Sequence, residues 1–492
     1  MKKTCSVLAG LLALLLASCL PEEHFWWSPD GSHALVRTED GLSLATADGT
    51  PGTMLSIDLG KGSEFPNRAS WLPDGSGFVI NRVRHLAKWE EVRALIPAAE
   101  AAEVEQLSRG VPDLMEAWAK ATGTSDDGQD LMSWLPFKNK EVLSAAFFHA
   151  YETNREVMEA GLRKSRPGPK GEEVLEDLRE ESQHPFRVHE ICLVKLQNGS
   201  VDGEPHAIAR SLRALFFPKV SPKHPAVAFF HVSQDDDTAV LEVWSLDGTH
   251  HLEAVSEVSA AMDWMPDGRT LVFALPVMGR ENTPLQNIKR VTVLHEDGRV
   301  LELNDASKDE ERKLRSPVEL AAALIVGSPR VIALPDGRVL FSCNPVTLPA
   351  PAAGIEVAPV LCLVSADGKK VETVPTAPGD LPTNLGYFAT SPDGKRVAIV
   401  ESDTDAVAVV ELADGKTEIV SPAHANWQGR TMPAWKSSTE LTFAALEKGV
   451  PKWVLWKQGE GVRSISAAWP AAATAKWLEE KKNENQPATT SP

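Results

Sequence analysis

Residues 25–36 read FWWSPDGSHALV. Aromatic residues lead into Ser-Pro-Asp-Gly, and an apolar alternation follows. Proline presets φ at the second turn position, aspartate is tolerated beside it, and glycine supplies the positive φ that closes a hairpin. The stretch therefore reads as strand, tight turn, strand. Whether it stands alone or begins a repeat decides the architecture.

It begins a repeat. WLPDGSGFVI (71–80), WMPDGRTLVF (264–273), ALPDGRVLFS (333–342) and TSPDGKRVAIV (390–400) carry the same pattern. VSPKHPAVAFF (220–230) and AWKSSTELTFA (434–444) are degenerate copies, which makes seven. A second turn follows each first one, in TADGTPGTML (46–55), LQNGSVDGEPHAI (196–208), SLDGTHHLEAV (245–255), LHEDGRVLEL (294–303), SADGKKVETV (365–374), LADGKTEIV (412–420) and KQGEGVRSI (457–465). Asp-Gly or Asn-Gly between alternating segments is a strong hairpin signal. Four strands, a to d, repeated at intervals on the order of 45 residues predict an all-β, seven-bladed β-propeller of four-stranded blades over residues 23–470. All four strands of each blade lie in contiguous sequence, so ring closure rests on packing of blade 1 against blade 7. Trp27, Trp71, Trp264 and Trp435 share one slot. A slot reused in four blades suits inter-blade packing better than a stacking platform for a ligand.

The repeat resembles the TolB-type, WD-repeat-like propellers, which carry the same (W)-x-P-D-G hairpin. The resemblance covers the propeller alone, because blade 1 begins almost at Cys19 and leaves no room for the N-terminal α/β domain of TolB. It implies a binding platform with protein partners in the cell envelope, such as other lipoproteins or peptidoglycan-associated components. It does not specify an activity.

Blade 2 is interrupted between strand b, ending near Arg84, and strand c, beginning near Val188. Residues 86–187 carry apolar positions three and four apart, with Pro and Gly punctuation, and predict a helical insertion of about five helices in the b–c loop. The b–c and d–a loops of a propeller share one face, around the channel mouth. Trp118, Phe147, Phe148 and Tyr151 are the aromatic candidates for the buried face of the insertion or for a partner-facing groove. Its 13 basic and 20 acidic residues give the segment a charge of −7. ATGTSDDGQD (121–130) lacks the alternating carboxylates and distant Glu of a calcium loop and reads as a plain loop.

The first 18 residues form a signal peptide: Lys2 and Lys3, an apolar run, then Leu16-Ala17-Ser18 before Cys19. Leu-Ala-Ser-Cys matches the bacterial lipobox, so Cys19 is the expected lipidation site, with palmitate among its acyl chains. Leu20, in place of the Asp that retains enterobacterial lipoproteins in the inner membrane, points to the outer membrane. The partners expected are thus the lipid bilayer, through acylated Cys19, and envelope proteins. Residues 471–492 form a polar tail.

The chain of 492 residues carries a formal charge of −18. That balance excludes nucleic acid, whose binding needs phosphate neutralisation by Lys and Arg. No nucleophile elbow, phosphate loop or zinc-protease motif occurs, and neither cofactor nor metal is expected. Asp235, Asp236 and Asp237, in the b–c connection of blade 3, read as a solvated loop or a patch for a basic partner. Cys343 and Cys362 flank the b–c loop of blade 5 and fall almost opposite one another if their strands pair about residue 352, which would allow a disulfide in an oxidising compartment. The reading is a non-catalytic, membrane-anchored binding or scaffolding propeller whose insertion is the recognition element. The alternative is a propeller enzyme or ligand sensor acting on an envelope glycan or peptide at the channel mouth.

Overall fold

The computed structural model describes residues 24–38, 41–60, 66–113, 140–165, 167–233, 238–278, 284–302, 309, 317–323, 330–343, 360–374, 383–401, 406–421, 431–447 and 450–465. Seven antiparallel sheets follow one another along the chain as blades 1 (25–54), 2 (69–211), 3 (215–258), 4 (262–323), 5 (331–373), 6 (383–419) and 7 (434–464). Each has its strands in the order a-b-c-d, and blade 2 adds a fifth short strand. The protein is a seven-bladed β-propeller.

The hairpin chemistry explains each a–b turn. Asp30 accepts hydrogen bonds from the Ser28 hydroxyl at 2.6 Å and from the Ser32 amide at 3.0 Å. Gly31 sits at φ +68°, and a Cβ there would lie 2.8 Å from the Lys436 carbonyl of blade 7. Glycine is thus required twice, by the left-handed backbone and by the close approach.

The four tryptophans bind blade to blade. Nε1 of Trp71, Trp264 and Trp435 donates to the carbonyls of Trp26, Lys219 and Ala389, each in strand a of the preceding blade, at 2.8–2.9 Å. Trp27 of blade 1 donates to the Thr442 hydroxyl of blade 7 at 3.0 Å. The same interface buries Phe25 and Trp453, whose rings meet edge-on with centroids 5.5 Å apart. Each such side chain contributes about 1.5–3 kcal/mol on burial. Packing, together with the Trp27–Thr442 hydrogen bond, therefore closes the ring.

Blade 4 departs from the sequence reading. LHEDGRVLEL forms only a small loop bridged at Leu294–Val300, and strand d is Val318–Ala323, paired with strand c from Gln286–Ala323 to Arg290–Val318. Val293, Leu294, Val300 and Leu301 are buried in the core shared by blades 3 and 4. Burying these four apolar side chains turns the local hairpin inward, so it does not line the outer edge.

In blade 5 the register sets Cys343 opposite Val360 and Cys362 opposite Phe341. The cysteines are diagonal neighbours, not opposite as expected from pairing about residue 352. Such diagonal positions are about 7–8 Å apart, against the roughly 4.4–6.8 Å between Cα atoms that a disulfide usually spans.

Candidate functional site

Strands b (Gly77–Leu86) and c (Phe186–Gln197) of blade 2 pair over ten rungs, from Gly77–Lys195 to Leu86–Phe186. The insertion is mounted on the end of this hairpin. Its described helices are α1 (Trp89–Arg93), α2 (Ala98–Ser108), α3 (Lys140–Ser165, broken at Asn154) and α4 (Pro169–Glu181). Two cores hold it. Trp89, Val92, Val104, Val142 and Ala146 pack with Phe186 and Leu212 of the propeller. Phe147, Tyr151, Met158, Leu162 and Leu175 pack within the insertion itself. Between α3 and α4, Glu159 accepts hydrogen bonds from Tyr151 Oη at 2.9 Å and from Arg155 and Arg179 Nε at 3.0 Å. The Arg179 hydrogen bond leads in holding its carboxyl down at about 2.

A buried polar anchor joins α2 to the propeller. Glu100 accepts from the Ser211 hydroxyl at 2.6 Å, the Leu212 amide at 2.9 Å and Arg213 Nη1 at 3.2 Å. Arg213, only 3% exposed, also reaches Glu103 at 2.6 Å. Ser211 Oγ lies 3.3 Å from His231 Nε2, and His231 Nδ1 lies 2.9 Å from Glu242. Burial works to raise the Glu242 carboxyl, but hydrogen bonds from His231 and Trp244 hold it below its ordinary value.

Ser211, His231 and Glu242 thus have the order of a hydrolase triad, but not its chemistry. A nucleophile must give its proton to the imidazole and face a space for the reacting atom. The Ser211 proton is directed to Glu100, the oxygen also accepts from the Arg213 amide at 2.9 Å, and the residue is 3% exposed. The arrangement fastens the insertion.

A second cluster lies on blade 2. Glu190, fully buried, accepts from Arg82 Nε at 2.7 Å and Arg210 Nε at 2.9 Å, with Arg84 at 3.5 Å. Desolvation opposes its charge, and the arginines overcome it, so its carboxyl lies below the ordinary value. Beside it, burial pushes the Cys192 thiol up to about 12.

The central channel opens through a cavity of about 460 Å³ lined by strand a residues of all seven blades. Arg68, Lys219 and Arg330 are its charged lining residues, and no described lining residue is acidic. Lys219 pairs with Asp263 at 2.7 Å. The Arg68 guanidinium lies 3.8 Å from the Phe217 ring centroid, and that of Arg330 lies 5.8 Å from Phe388.

Of the residues singled out in the sequence, Phe147 and Tyr151 are buried in the insertion's own core, and Phe148 is half-buried between its two cores. Phe147 and Tyr151 hold the insertion together. Cys19, Trp118, Asp235, Asp236 and Asp237 lie outside the described residues, as does the Cys343 side chain. Cys362 is buried. Among the described residues no group of three His, Cys, Asp or Glu is placed to hold a metal ion, and no helix is long and apolar enough to cross a membrane.

Fold and site together define a seven-bladed propeller bearing a helical body on its b–c face. No family model and no curated relative matches the sequence. Among solved structures, TolB from Acinetobacter baumannii is similar at 14% identity over 63% of this chain and 71% of that one, with a TM-score of 0.35. Kuenenia stuttgartiensis hydrazine synthase is similar at 11% identity over 89% of this chain and 96% of that one, with a TM-score of 0.45. Puromycin hydrolase matches at 14% identity and a TM-score of 0.39 over 57% of this chain and 44% of its own, so the chain spans less than half of that enzyme. These are likenesses of fold.

Proposed function

We propose that the protein is a lipid-anchored envelope propeller, held to the membrane through acylated Cys19, that binds a protein partner through the insertion in blade 2. The observation that carries this reading is the mounting of the insertion. It has its own apolar core and is fastened to the propeller by Glu100, which is 6% exposed and has three partners there. Segments that open and close are drawn from weakly packed, exposed structure. This body is instead built as a fixed projection from blade 2, which suits recognition more than gating. Its surplus of seven negative charges favours a partner with a basic face, reached faster at low salt.

The test is crosslinking of tagged protein in cells, with and without residues 87–185, the Leu86–Phe186 rung being closed by a short Asn-Gly turn. Loss of the captured species on deletion supports the reading. An unchanged capture pattern from a folded deletion variant removes the insertion as recognition element. Cys19→Ser is expected to release the protein from the membrane fraction, and retention there contradicts the anchor.

A further inference from the structure

We propose that the anchored propeller stands with its insertion-bearing face towards the bilayer, so that the insertion lies at the membrane surface and its partner is a protein embedded in that same membrane. The inference rests on acylation of Cys19 and adds the orientation that a short tether imposes.

The first support is topological. Strand a lines the central channel in all seven blades and is therefore the innermost strand. His24 stands at its entry in blade 1, where its carbonyl accepts from the Arg37 amide near the end of strand b. Antiparallel order puts the entry of strand a and the end of strand b on one face. The chain from Cys19 thus joins the propeller on the face from which the blade 2 hairpin carries the insertion.

The second support is reach. Five residue steps lead from Cys19 to His24, and they span at most about 18 Å. The outer strand of a blade lies three strand spacings from the innermost one, about 14 Å away. A tether that crosses the blade is then almost spent, too short to clear the side chains of the outer strand and lay the rim on the bilayer. Strand b of blade 1, His33–Thr38, adds a height of about 20 Å. A route round the blade to the turn face needs about 34 Å, nearly twice the reach.

The third support is the height of the insertion. Counted five residues ahead of Pro29 and Pro73, His24 and Arg68 occupy one repeat slot. Arg68 is level with Asn81, whose side chain accepts from its amide at 2.7 Å. Strand b of blade 2 continues from Asn81 to Leu86, a rise of about 17 Å. The insertion therefore starts about as far out from the ring as the tether can reach, and it meets the bilayer before the ring does. Its surplus of seven negative charges gives no attraction to anionic lipid. The tether holds it at the surface, where a membrane protein with basic residues at the bilayer boundary is the complementary partner.

The test uses the full-length acylated protein in phosphatidylcholine vesicles that carry a headgroup nitroxide lipid. A fluorescent amino acid is placed at Val157, Glu173 or Glu180 of the insertion and at Ser76, Thr249 or Lys395 of the turn face, all exposed. Unchanged melting verifies each labelled protein, and three sites per face allow one to be replaced by another. Nitroxide quenching should appear at one insertion site or more and be absent from the turn face. Inserting about 20 Gly and Ser residues after Leu20 adds a reach of about 25 Å. It should abolish the quenching while the protein stays on the vesicles. Quenching from the turn face equal to that from the insertion, none from any insertion site, or quenching that survives the longer tether overturns the orientation and leaves partner binding standing. Retention of Cys19→Ser on the vesicles refutes the anchor itself, and the orientation with it. In cells, mass spectrometry of the photo-adduct from Val157 should identify a protein with a membrane-spanning segment, and a soluble protein overturns the partner assignment.

Discussion

Glu100→Ala should undock the insertion without unfolding the propeller. The substitution strips three partners at once: the Ser211 hydroxyl, the Leu212 amide and Arg213. Breaking a buried ion pair from one side costs about 3–5 kcal/mol, and an orphaned buried amide adds about 1–3 kcal/mol. Arg213 keeps Glu103 at 2.6 Å, and that pulls the total to the lower end, about 4 kcal/mol. Local opening of α2 should then rise on the order of 1,000-fold. Native-state hydrogen exchange followed by mass spectrometry reads this directly. Peptides covering residues 98–108 and 206–213 should lose protection, while those from blade 5 keep it. Glu100→Gln, which preserves an acceptor for the Leu212 amide, should cost less. The pair Glu100→Ala with Arg213→Ala should cost less than the sum of the single changes, because neither buried charge is stranded. Exchange of α2 at the parental rate in a folded Glu100→Ala variant would refute the anchoring argument.

Three further expectations follow from the geometry. Trp27→Phe removes the hydrogen bond to Thr442 at the closure of the ring and should lower stability in urea by about 1 kcal/mol, whereas an unchanged midpoint would assign closure to packing alone. Glu159 has its folded carboxyl lowered from 4.5 to about 2, so its stabilisation is complete above the unfolded value near 4.5 and lost as pH falls towards 2. The melting difference between the parent and Glu159→Gln should accordingly narrow below pH 4.5, and a constant offset down to pH 2 contradicts the clamp. Cys192, with its thiol pushed up to about 12, should resist iodoacetamide at mildly alkaline pH in the native protein and react once unfolded, which intact mass reports. Native labelling would contradict its burial.

The blades were legible because their turns are local chemistry. Pro29, Asp30 and Gly31 specify a hairpin whatever surrounds them, and the tryptophan slot repeats with them. The insertion helices were legible from apolar spacing. Strand d of blade 4 was not, because Val318–Ala323 pairs with strand c by long-range contact while the Asp297-Gly298 turn offers a nearer false partner. The anchor was also hidden: Glu100 meets Ser211, Arg213 and their neighbours across more than a hundred residues, and no linear motif marks that convergence. Arg68 and Arg330 did leave a signal. Aligned on the turn proline, they are charged residues in a slot that holds Phe217 and Ala261 elsewhere.

The most direct test of the central claim is site-specific photocrosslinking in living cells from Val157, a valine of α3 that is 65% exposed. Val371 and Val462, exposed on the outer strands of blades 5 and 7, serve as comparison sites. The account predicts a discrete adduct with an envelope protein from Val157, absent from both blade positions and lost with Glu100→Ala. Adducts of equal yield from the blade edges, or none from any exposed position of α3 and α4, would contradict it.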